Sequence, residues 1–356
     1  MLDLTQDVRT LTAAIVDIES VSGDERALAN IVERALSALP HLKVERSGET
    51  VVARTQLGRA ERVLIAGHLD TVPVAANLPS HVEGDLLYGC GTSDMKAGVA
   101  VALKLAATVP APNKDVTYVF YDCEEVEAER NGLTRVARDH ADWLAADFAV
   151  LMEPTDGVIE GGCQGTLRAD VKVTGKRAHS ARSWFGVNAI HGIEPVLARL
   201  NAYEPRRPVV DGLEYHEGLN AVGVRGGVAG NVIPDLCVVT VNYRFAPDLS
   251  IEQAQEHVRE VFDGFEVDFV DAAPGARPGL THPVAAAFTA AVGGTPRAKL
   301  GWTDVARFSA LDVPAVNYGP GDPNLAHQQG EYVSLSKIVE SETAMLDWLA
   351  KSTAPS

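Results

Sequence analysis

The sequence lacks the cysteine patterns and short motifs that would identify several common enzyme classes. Its four cysteines are scattered and form no C-x-x-C pair: Cys90, Cys123, Cys163 and Cys237. This predicts neither a disulfide framework nor a thiolate zinc site. There is no H-E-x-x-H, no Walker loop and no nucleophile elbow. The stretch "GCGTSD" has Asp94 where a dinucleotide fingerprint has its third glycine, so a dinucleotide site is not expected either.

Basic clusters and long apolar runs are also missing. The net charge is −17 and no group of Lys or Arg stands out, so a nucleic-acid partner is not expected. No segment is long and apolar enough to span a bilayer. The amino terminus, "MLDLTQDVRTLTAAIVDIES", has early acids where a signal peptide has a basic start. We therefore expect a cytoplasmic protein with reduced thiols and no membrane partner.

The 356 residues suit two domains, and the first half has α/β character. Apolar strand candidates such as "RVLIAG", "DVTYVFY" and "FAVLM" alternate with helix candidates such as "KAGVAVALKLAATV". This predicts a mostly parallel sheet with helices on both faces. Ser22 and Glu25 have the spacing of a capping box, which predicts that they open the helix "RALANIVERALSAL".

The pattern changes at Gly165. "TLRADVKVTG" and "LCVVTVNYRF" alternate polar and apolar residues, with helix candidates between and after them. This predicts a small α+β sandwich of the ferredoxin-like kind, covered on one face. "DAAPGARPG" predicts a linker, after which the α/β pattern resumes. We therefore predict a domain at 165–275 inserted into a domain formed by 1–164 and 276–356.

Candidate metal ligands follow the predicted strands of the first domain. They are His68, Asp70, Asp94, Glu124, Glu125, Glu153 and His327. Each alone has an ordinary structural explanation, such as an N-cap for Asp94 or a surface loop for His327. However, loops at the carboxyl ends of the strands of an open α/β sheet converge on one crevice. Two imidazoles, several carboxylates and no thiolate suit a pair of divalent ions, zinc first, with cobalt or manganese as alternatives.

These motifs carry a resemblance to a known family. "GHLDTVP", "GTSDMKAG", "EE", "MEP" and "AH", in this order, resemble the dinuclear zinc deacylases and exopeptidases that include acetylornithine deacetylase, carboxypeptidase G and succinyl-diaminopimelate desuccinylase. The resemblance covers nearly the whole chain. It implies a catalytic domain with an inserted lid domain that mediates homodimerisation.

The resemblance also implies a role for each residue of the first domain. His68 and Glu153 would bind one metal ion, Glu125 and His327 the other, and Asp94 would bridge the two. Asp70 would orient His68, and Glu124 would be the general base. The peptide after Asp94 would be cis.

Three residues of the lid domain receive roles from the same resemblance. His179 would reach the substrate carbonyl, commonly in the partner subunit's site, whereas a solvated loop histidine is the alternative. Asn231 and Arg244 would bind a substrate carboxylate, for which the planar guanidinium is well suited. The alternative for Arg244 is a cross-strand salt bridge. Arg168 and Arg182 are further candidates for holding an anionic substrate.

The stretches "EGGCQGTLR" and "LGWTDVARFSALDVPAVNYGPGDPNLAH" resemble succinyl-diaminopimelate desuccinylases of the actinobacterial type. The reaction implied is hydrolysis of N-succinyl-LL-2,6-diaminopimelate to succinate and LL-2,6-diaminopimelate, for lysine biosynthesis. "VEAERNGL" and "AHQQGEYV" depart from the family pattern beside the ligands, which bears on substrate preference. Acetylornithine deacetylase, or a broader aminoacylase or carboxypeptidase, is the alternative. A metal-binding scaffold without catalysis is disfavoured because it would not need Glu124.

Overall fold

The computed structural model describes residues 2–350. The chain folds into two compact units. The first unit runs up to Gly161 and resumes in Pro278–Arg297 and from Arg307 onward, and the second comprises Gly162–Arg277 and Ala298–Ala306. The assignment of the two predicted domains as catalytic domain and lid stays a prediction.

Within the described residues there are nine α-helices: α1 Val8–Val16, α2 Arg26–Ser37, α3 Ala97–Thr108, α4 Gly132–Asp139, α5 Glu194–Asn201, α6 Ile251–Val261, α7 Pro283–Val292, α8 Val305–Ala310 and α9 Leu335–Ala350. The strands of the same part of the chain are β1 Lys43–Ser47, β2 Thr50–Arg54, β3 Arg62–His68, β4 His81–Glu83, β5 Leu86–Tyr88, β6 Asp115–Tyr121, β7 Phe148–Leu151, β8 Glu160–Gly161, β9 Gly165–Thr174, β10 Ala178–His179, β11 Val209–Val210, β12 Leu213–Glu214, β13 Gly218–Gly226, β14 Val232–Ile233, β15 Leu236–Phe245, β16 Glu266–Ala273, β17 Arg297–Ala298, β18 Ala315–Asn317 and β19 Tyr332–Ser334. None of these helices is long and apolar enough to cross a membrane.

An eight-stranded sheet in the order β1-β2-β6-β3-β7-β18-β8-β17 is the centre of the first unit. Its middle strands β6, β3, β7 and β18 are parallel, whereas β1, β2 and β8 pair antiparallel. Consecutive residues of a strand point to opposite faces, and every residue of β6 and β7 is buried. Both faces of the sheet are therefore covered, as predicted.

The second unit contains a four-stranded antiparallel sheet in the order β13-β15-β9-β16. Burial alternates along β9, and its inward residues pack in one core with residues of α5 and α6. In chain order the elements are β9, α5, β13, β15, α6 and β16. This is the ferredoxin-like sandwich that the sequence predicted.

The capping-box prediction is wrong. Helix α2 begins at Arg26, and Glu25 at its N-cap makes no side-chain capping bond. The hydroxyl of Ser22 instead donates to Asp70, at an Oγ–Oδ2 distance of 2.7 Å. The two residues have the capping-box spacing, but tertiary contacts use their side chains.

Candidate metal centre

Three neighbouring parallel strands bring the predicted ligands to one edge of the large sheet. His68 is the last residue of β3 and is in register with Tyr121, the last residue of β6. Ala66 of β3 pairs with Leu151 at the end of β7. The loops that follow these strands, with Glu124 and Glu125 after β6 and Glu153 after β7, therefore begin at the same edge.

Asp94 lies between two imidazoles. Its Oδ1 is 3.1 Å from His68 Nε2, and its Oδ2 is 3.6 Å from His327 Nε2. His327 Nε2 also lies 2.8 Å from Glu125 Oε1. His327 has a backbone φ of +64°. The loop after β18 thus delivers this histidine across the chain to the acids that follow β6.

Three overlapping groups have donor atoms within 4.8 Å of one another: His68 with Asp94 and Glu153, Asp94 with Glu125 and His327, and His68 with Glu124 and Glu125. The first two groups correspond to the two predicted ligand sets, and Asp94 belongs to both. The third group places Glu124 beside the ligands. The six side chains therefore meet in one place.

The donor chemistry of this cluster fits a pair of divalent cations. It offers imidazole nitrogen and carboxylate oxygen and no thiolate, a set that suits zinc and also cobalt or manganese. His68 is buried and Asp94 is partly buried. Carboxylates gathered in this way repel each other unless positive charge is present. Two ions that share Asp94 would supply that charge.

The two histidines, His68 and His327, themselves supply part of the positive charge that the carboxylates need. Although burial opposes the charged form, the carboxylates of Asp70 and Asp94 raise the pKa of His68 well above 6.5. A hydrogen bond with Glu125 raises the pKa of His327 to about 9. Both imidazoles face groups that stabilise a positive charge, as expected of a cation site.

Asp70 organises the loop that carries the two glutamates. Its side chain is fully buried. Oδ1 accepts the backbone N–H of Glu124 and Oδ2 that of Glu125, both at 3.0 Å. His68 Nδ1 lies 3.0 Å from the Asp70 carbonyl oxygen and 3.5 Å from its Oδ1. The predicted contact with His68 is therefore present, and the same carboxylate also holds Glu124 and Glu125.

The predicted lid residues lie in the second unit. His179 ends β10, pairs with Val232 of β14, and accepts the backbone N–H of Ala181 at its Nδ1, at 3.0 Å. The next residue, Ser180, donates its backbone N–H to the carbonyl of Asn231 at 2.9 Å. His179 and Asn231 are therefore held on adjacent segments.

The arginines of this unit differ in their partners. Arg244 is exposed on β15, and no residue among 2–350 forms a salt bridge with it, so the alternative of a cross-strand pair is wrong. Arg168 lies 3.8 Å from Asp271 across the sheet. Arg182 is exposed in the short 3-10 helix Ser180–Phe185. Of the three, Arg168 already has an acidic partner.

A model of peptidase family M20/M25/M40 matches residues 64–351. The chain belongs to this family. A Mycobacterium tuberculosis protein whose name assigns it provisionally to the succinyl-diaminopimelate desuccinylases is 57% identical over 99% of both chains. The succinyl-diaminopimelate desuccinylase of Corynebacterium glutamicum is 47% identical over 98% of both chains.

Several solved structures share the fold over nearly the whole chain. A tripeptidase from Staphylococcus aureus has a TM-score of 0.79 at 19% identity, covering 98% of each chain. An M20 family metallo-carboxypeptidase from Sulfolobus solfataricus has a TM-score of 0.75 at 16% identity, covering 96% of this chain and 98% of its own. A Bacillus subtilis protein described as a dinuclear metal-binding M20 peptidase has a TM-score of 0.71 at 16% identity, covering 96% of each. The predicted fold is confirmed.

One residue of this M20 site was not predicted from the sequence. Glu331 is 2% exposed, and its carboxylate accepts the backbone N–H groups of Gly91, Ser93 and Asp94 at 3.0, 2.7 and 3.0 Å. Burial raises its pKa to about 7. It holds the glycine-rich turn that presents Asp94, where Gly91 has a φ of +77° and the Asp94–Met95 peptide is cis as expected. The sequence feature that could have pointed to Glu331 is its position, since it is an acidic residue four positions after the predicted ligand His327.

Proposed function

We propose that the protein hydrolyses the amide of N-succinyl-LL-2,6-diaminopimelate, releasing succinate and LL-2,6-diaminopimelate for lysine biosynthesis. The observation that carries this proposal is the 47% identity over 98% of both chains with the Corynebacterium glutamicum desuccinylase. The cluster around Asp94 supports it, because it combines metal-type donors with an adjacent glutamate. Amide hydrolysis needs both kinds of group.

The cofactors in this proposal are two divalent ions, with zinc preferred over cobalt or manganese. His68 and Glu153 would hold one ion and Glu125 and His327 the other, with Asp94 on both. Ions bound in such a site polarise a carbonyl and lower the pKa of water.

Glu124 is the general base of the proposed reaction. Its donor atom lies within 4.8 Å of those of His68 and Glu125, and its backbone N–H is fixed by Asp70. The Glu124 carboxylate accepts a proton from the attacking water. It then returns that proton to the amine nitrogen as the carbon–nitrogen bond breaks, so the free amine and the succinate carboxylate result.

His179, Asn231 and Arg244 bind the substrate in this proposal. His179 would donate a hydrogen bond to the carbonyl oxygen as negative charge develops there. Arg244 is exposed and forms no salt bridge with residues 2–350, so its guanidinium is available for a bidentate contact with a substrate carboxylate. The net charge of −17 does not attract such a substrate over distance, so the attraction must be local.

A homodimer through the second unit is part of the proposal. Strand β13 is at the edge of its sheet, and its Val222 and Val224 are 60% and 56% exposed. Exposed apolar edge strands tend to pair with another chain, and a symmetric pairing creates two equivalent sites. In this arrangement His179 serves the site of the partner subunit.

Hybrid dimers test the shared site. Glu124→Ala and His179→Ala proteins should each be inactive. Refolding them together should restore roughly a quarter of wild-type activity, because about half the dimers are hybrids and each hybrid has one intact site. If mass spectrometry shows hybrids without recovered activity, His179 does not act across the interface.

The main test compares substrates for the zinc-loaded enzyme. We expect kcat/KM for N-succinyl-LL-2,6-diaminopimelate to exceed that for N-acetylornithine and other N-acyl amino acids by at least about a hundredfold, because substrate polar groups without partners are costly. A preference for acetylornithine would identify a deacetylase instead. Bound zinc without hydrolysis of any acyl-amino acid would indicate a scaffold.

A further inference from the structure

The segment Ser20–Glu25, which links α1 and α2, contacts the loop that follows β3. Val21 and Thr71 form a parallel β-bridge. Thr71 donates its backbone N–H to the carbonyl of Ser20 at 2.9 Å, and Ser22 donates its own to the carbonyl of Thr71 at 3.1 Å. The hydroxyl of Ser20 donates to the Leu69 carbonyl at 2.7 Å. The backbone on either side of Asp70 is therefore fixed by this segment.

The hydroxyl of Ser22 extends these contacts to the Asp70 side chain. It donates to Oδ2 at 2.7 Å, the oxygen that also accepts the backbone N–H of Glu125. The other oxygen, Oδ1, accepts the N–H of Glu124. A buried carboxylate with donors on both oxygens has little freedom to rotate. Ser22 thereby helps to fix the group that orients both glutamates.

Glu25 contacts the same loop from its other side. Its side chain is 1% exposed, and Oε1 accepts the backbone N–H groups of Gly23 and Cys123 at 2.8 and 3.1 Å. Cys123 directly precedes Glu124 and has a positive φ of +56°. Gly23 has a φ of +93°, which turns the segment back towards Glu25 and favours glycine there. The backbone before Glu124 is held as well.

We propose that Ser20–Glu25 is a strap that positions Glu124 for proton transfer and Glu125 for metal binding, with Ser22 and Glu25 as its positioning residues. The inference rests on the proposed function, since it assigns those two roles. Small displacements of a catalytic group lower the rate strongly even when substrate binding is unchanged. The strap therefore acts on kcat more than on KM.

The test compares four variants of the strap. Ser22→Ala removes the hydroxyl, whereas Ser22→Thr keeps one. Asp24→Ala is the matched control, because Asp24 is exposed and its side chain has no recorded hydrogen bond or salt bridge with residues 2–350. Glu25→Ala is a second disruption, and the melting temperatures of all four show whether the fold is kept.

With the zinc-loaded enzyme and N-succinyl-LL-2,6-diaminopimelate, Ser22→Ala should lower kcat about tenfold and change KM less than about twofold. Ser22→Thr and Asp24→Ala should keep kcat within about twofold of wild type. Glu25→Ala should follow Ser22→Ala. The proposed role of the strap would be wrong if Ser22→Ala kept the wild-type kcat. It would also be wrong if Ser22→Thr lost as much kcat as Ser22→Ala.

Zinc titration of the metal-free proteins gives a readout that needs no substrate. Loss of an outer hydrogen bond weakens metal binding by roughly tenfold or more, so Ser22→Ala should bind zinc more weakly than Ser22→Thr and Asp24→Ala. If the wild-type protein hydrolyses none of the acyl-amino acids, the proposed function fails, but the zinc titration still tests whether the strap positions Glu125 for metal binding. In that case, equal zinc affinities in the Ser22 variants would contradict it.

Discussion

The two ends of strand β6 each carry carboxylates, but their surroundings differ. At the start, Asp115 accepts the backbone N–H groups of Leu57 and Arg59 at 2.8 and 2.9 Å and the hydroxyl of Thr55 at 2.8 Å. It is 4% exposed. Neutral donors and the nearby Arg62, at 3.8 Å, satisfy this buried acid within the fold.

After the other end of β6, the partners change within three residues. Asp122 accepts from the Thr50 hydroxyl and from Arg135 Nη2, both at 2.6 Å. Glu125 pairs with His327, and Asp94 with both site histidines. An arginine partner is permanently charged, so it neutralises the carboxylate and cannot itself bind a metal ion. An imidazole can lose its proton and then bind a metal ion. The type of partner separates structural acids from the candidate site.

The largest effect should come from Glu124→Gln. It removes the proposed base without removing a proposed ligand, so kcat should fall by about 10²–10⁴-fold. Zinc content by mass spectrometry and the melting temperature should stay at wild-type values. Glu125→Gln is the matched control on the neighbouring residue and should lose zinc. The reverse pattern, with zinc lost from the Glu124 variant only, would exchange the two roles.

The second-largest effect concerns arginines, which can also be divided by whether they have a partner within the fold. Arg206 forms a salt bridge with Glu217 at 2.6 Å, whereas Arg244 has no such partner among the described residues. Arg244→Lys should lower kcat/KM for N-succinyl-LL-2,6-diaminopimelate by about 10–100-fold, because an ammonium cannot form the bidentate contact. Denaturation in urea should show little change in stability.

Arg168→Lys is the control for this variant, since Arg168 has Asp271 as its partner and should change kcat/KM by less than about twofold. An unchanged kcat/KM in Arg244→Lys would remove Arg244 from the substrate site.

Much of the fold was predictable because local patterns and the layered architecture agree. The mostly apolar strand β6 indicated a sheet covered on both faces, and the alternating strand β9 indicated one covered face. Both predictions are confirmed. The gathering of His68, Asp94 and Glu125 was also predictable, since loops at the same edge of a parallel sheet converge.

The side-chain contacts that support the site were not predictable from local spacing. Ser22 and Glu25 have capping-box spacing, yet the hydroxyl of Ser22 bonds to a residue 48 positions away. Glu331 bonds to the backbone of a residue 237 positions away. Contacts of this kind depend on how the loops meet in three dimensions, and no periodicity in the chain encodes them.

A smaller effect is expected where the acid is structural. Arg135→Met leaves Asp122, which is 5% exposed, with the Thr50 hydroxyl but without its cation. The free energy of unfolding should fall by about 1–3 kcal/mol, because a buried charge loses its partner. Zinc content should be unchanged, and kcat per folded molecule should stay near wild type. A loss of zinc equal to that of Glu125→Gln would erase the distinction between Asp122 and the site acids.

The smallest effect concerns Asp115 and depends on pH. Although burial opposes ionisation, the N–H of Leu57 and the hydroxyl of Thr55 lower the pKa of Asp115 below its usual 3.8. Its stabilising contribution is therefore complete above pH 3.8 and is lost as the pH falls through the lower folded-state pKa. Asp115→Asn keeps one acceptor oxygen but no charge, so at pH 7 it should lower the free energy of unfolding by about 1–2 kcal/mol.

Urea denaturation at about pH 7, 5 and 3 checks the sign of this pH dependence. The difference in unfolding free energy between wild type and Asp115→Asn should be the same at the two higher pH values. It should shrink at the lowest pH, where the Asp115 carboxylate of the unfolded wild-type chain begins to bind a proton. The exposed Asp24→Asn should show almost no difference at any pH, because its side chain has no recorded partner among residues 2–350. A difference for Asp115→Asn that grows on acidification would mean that the folded protein favours the protonated acid, which would contradict the lowered pKa of Asp115.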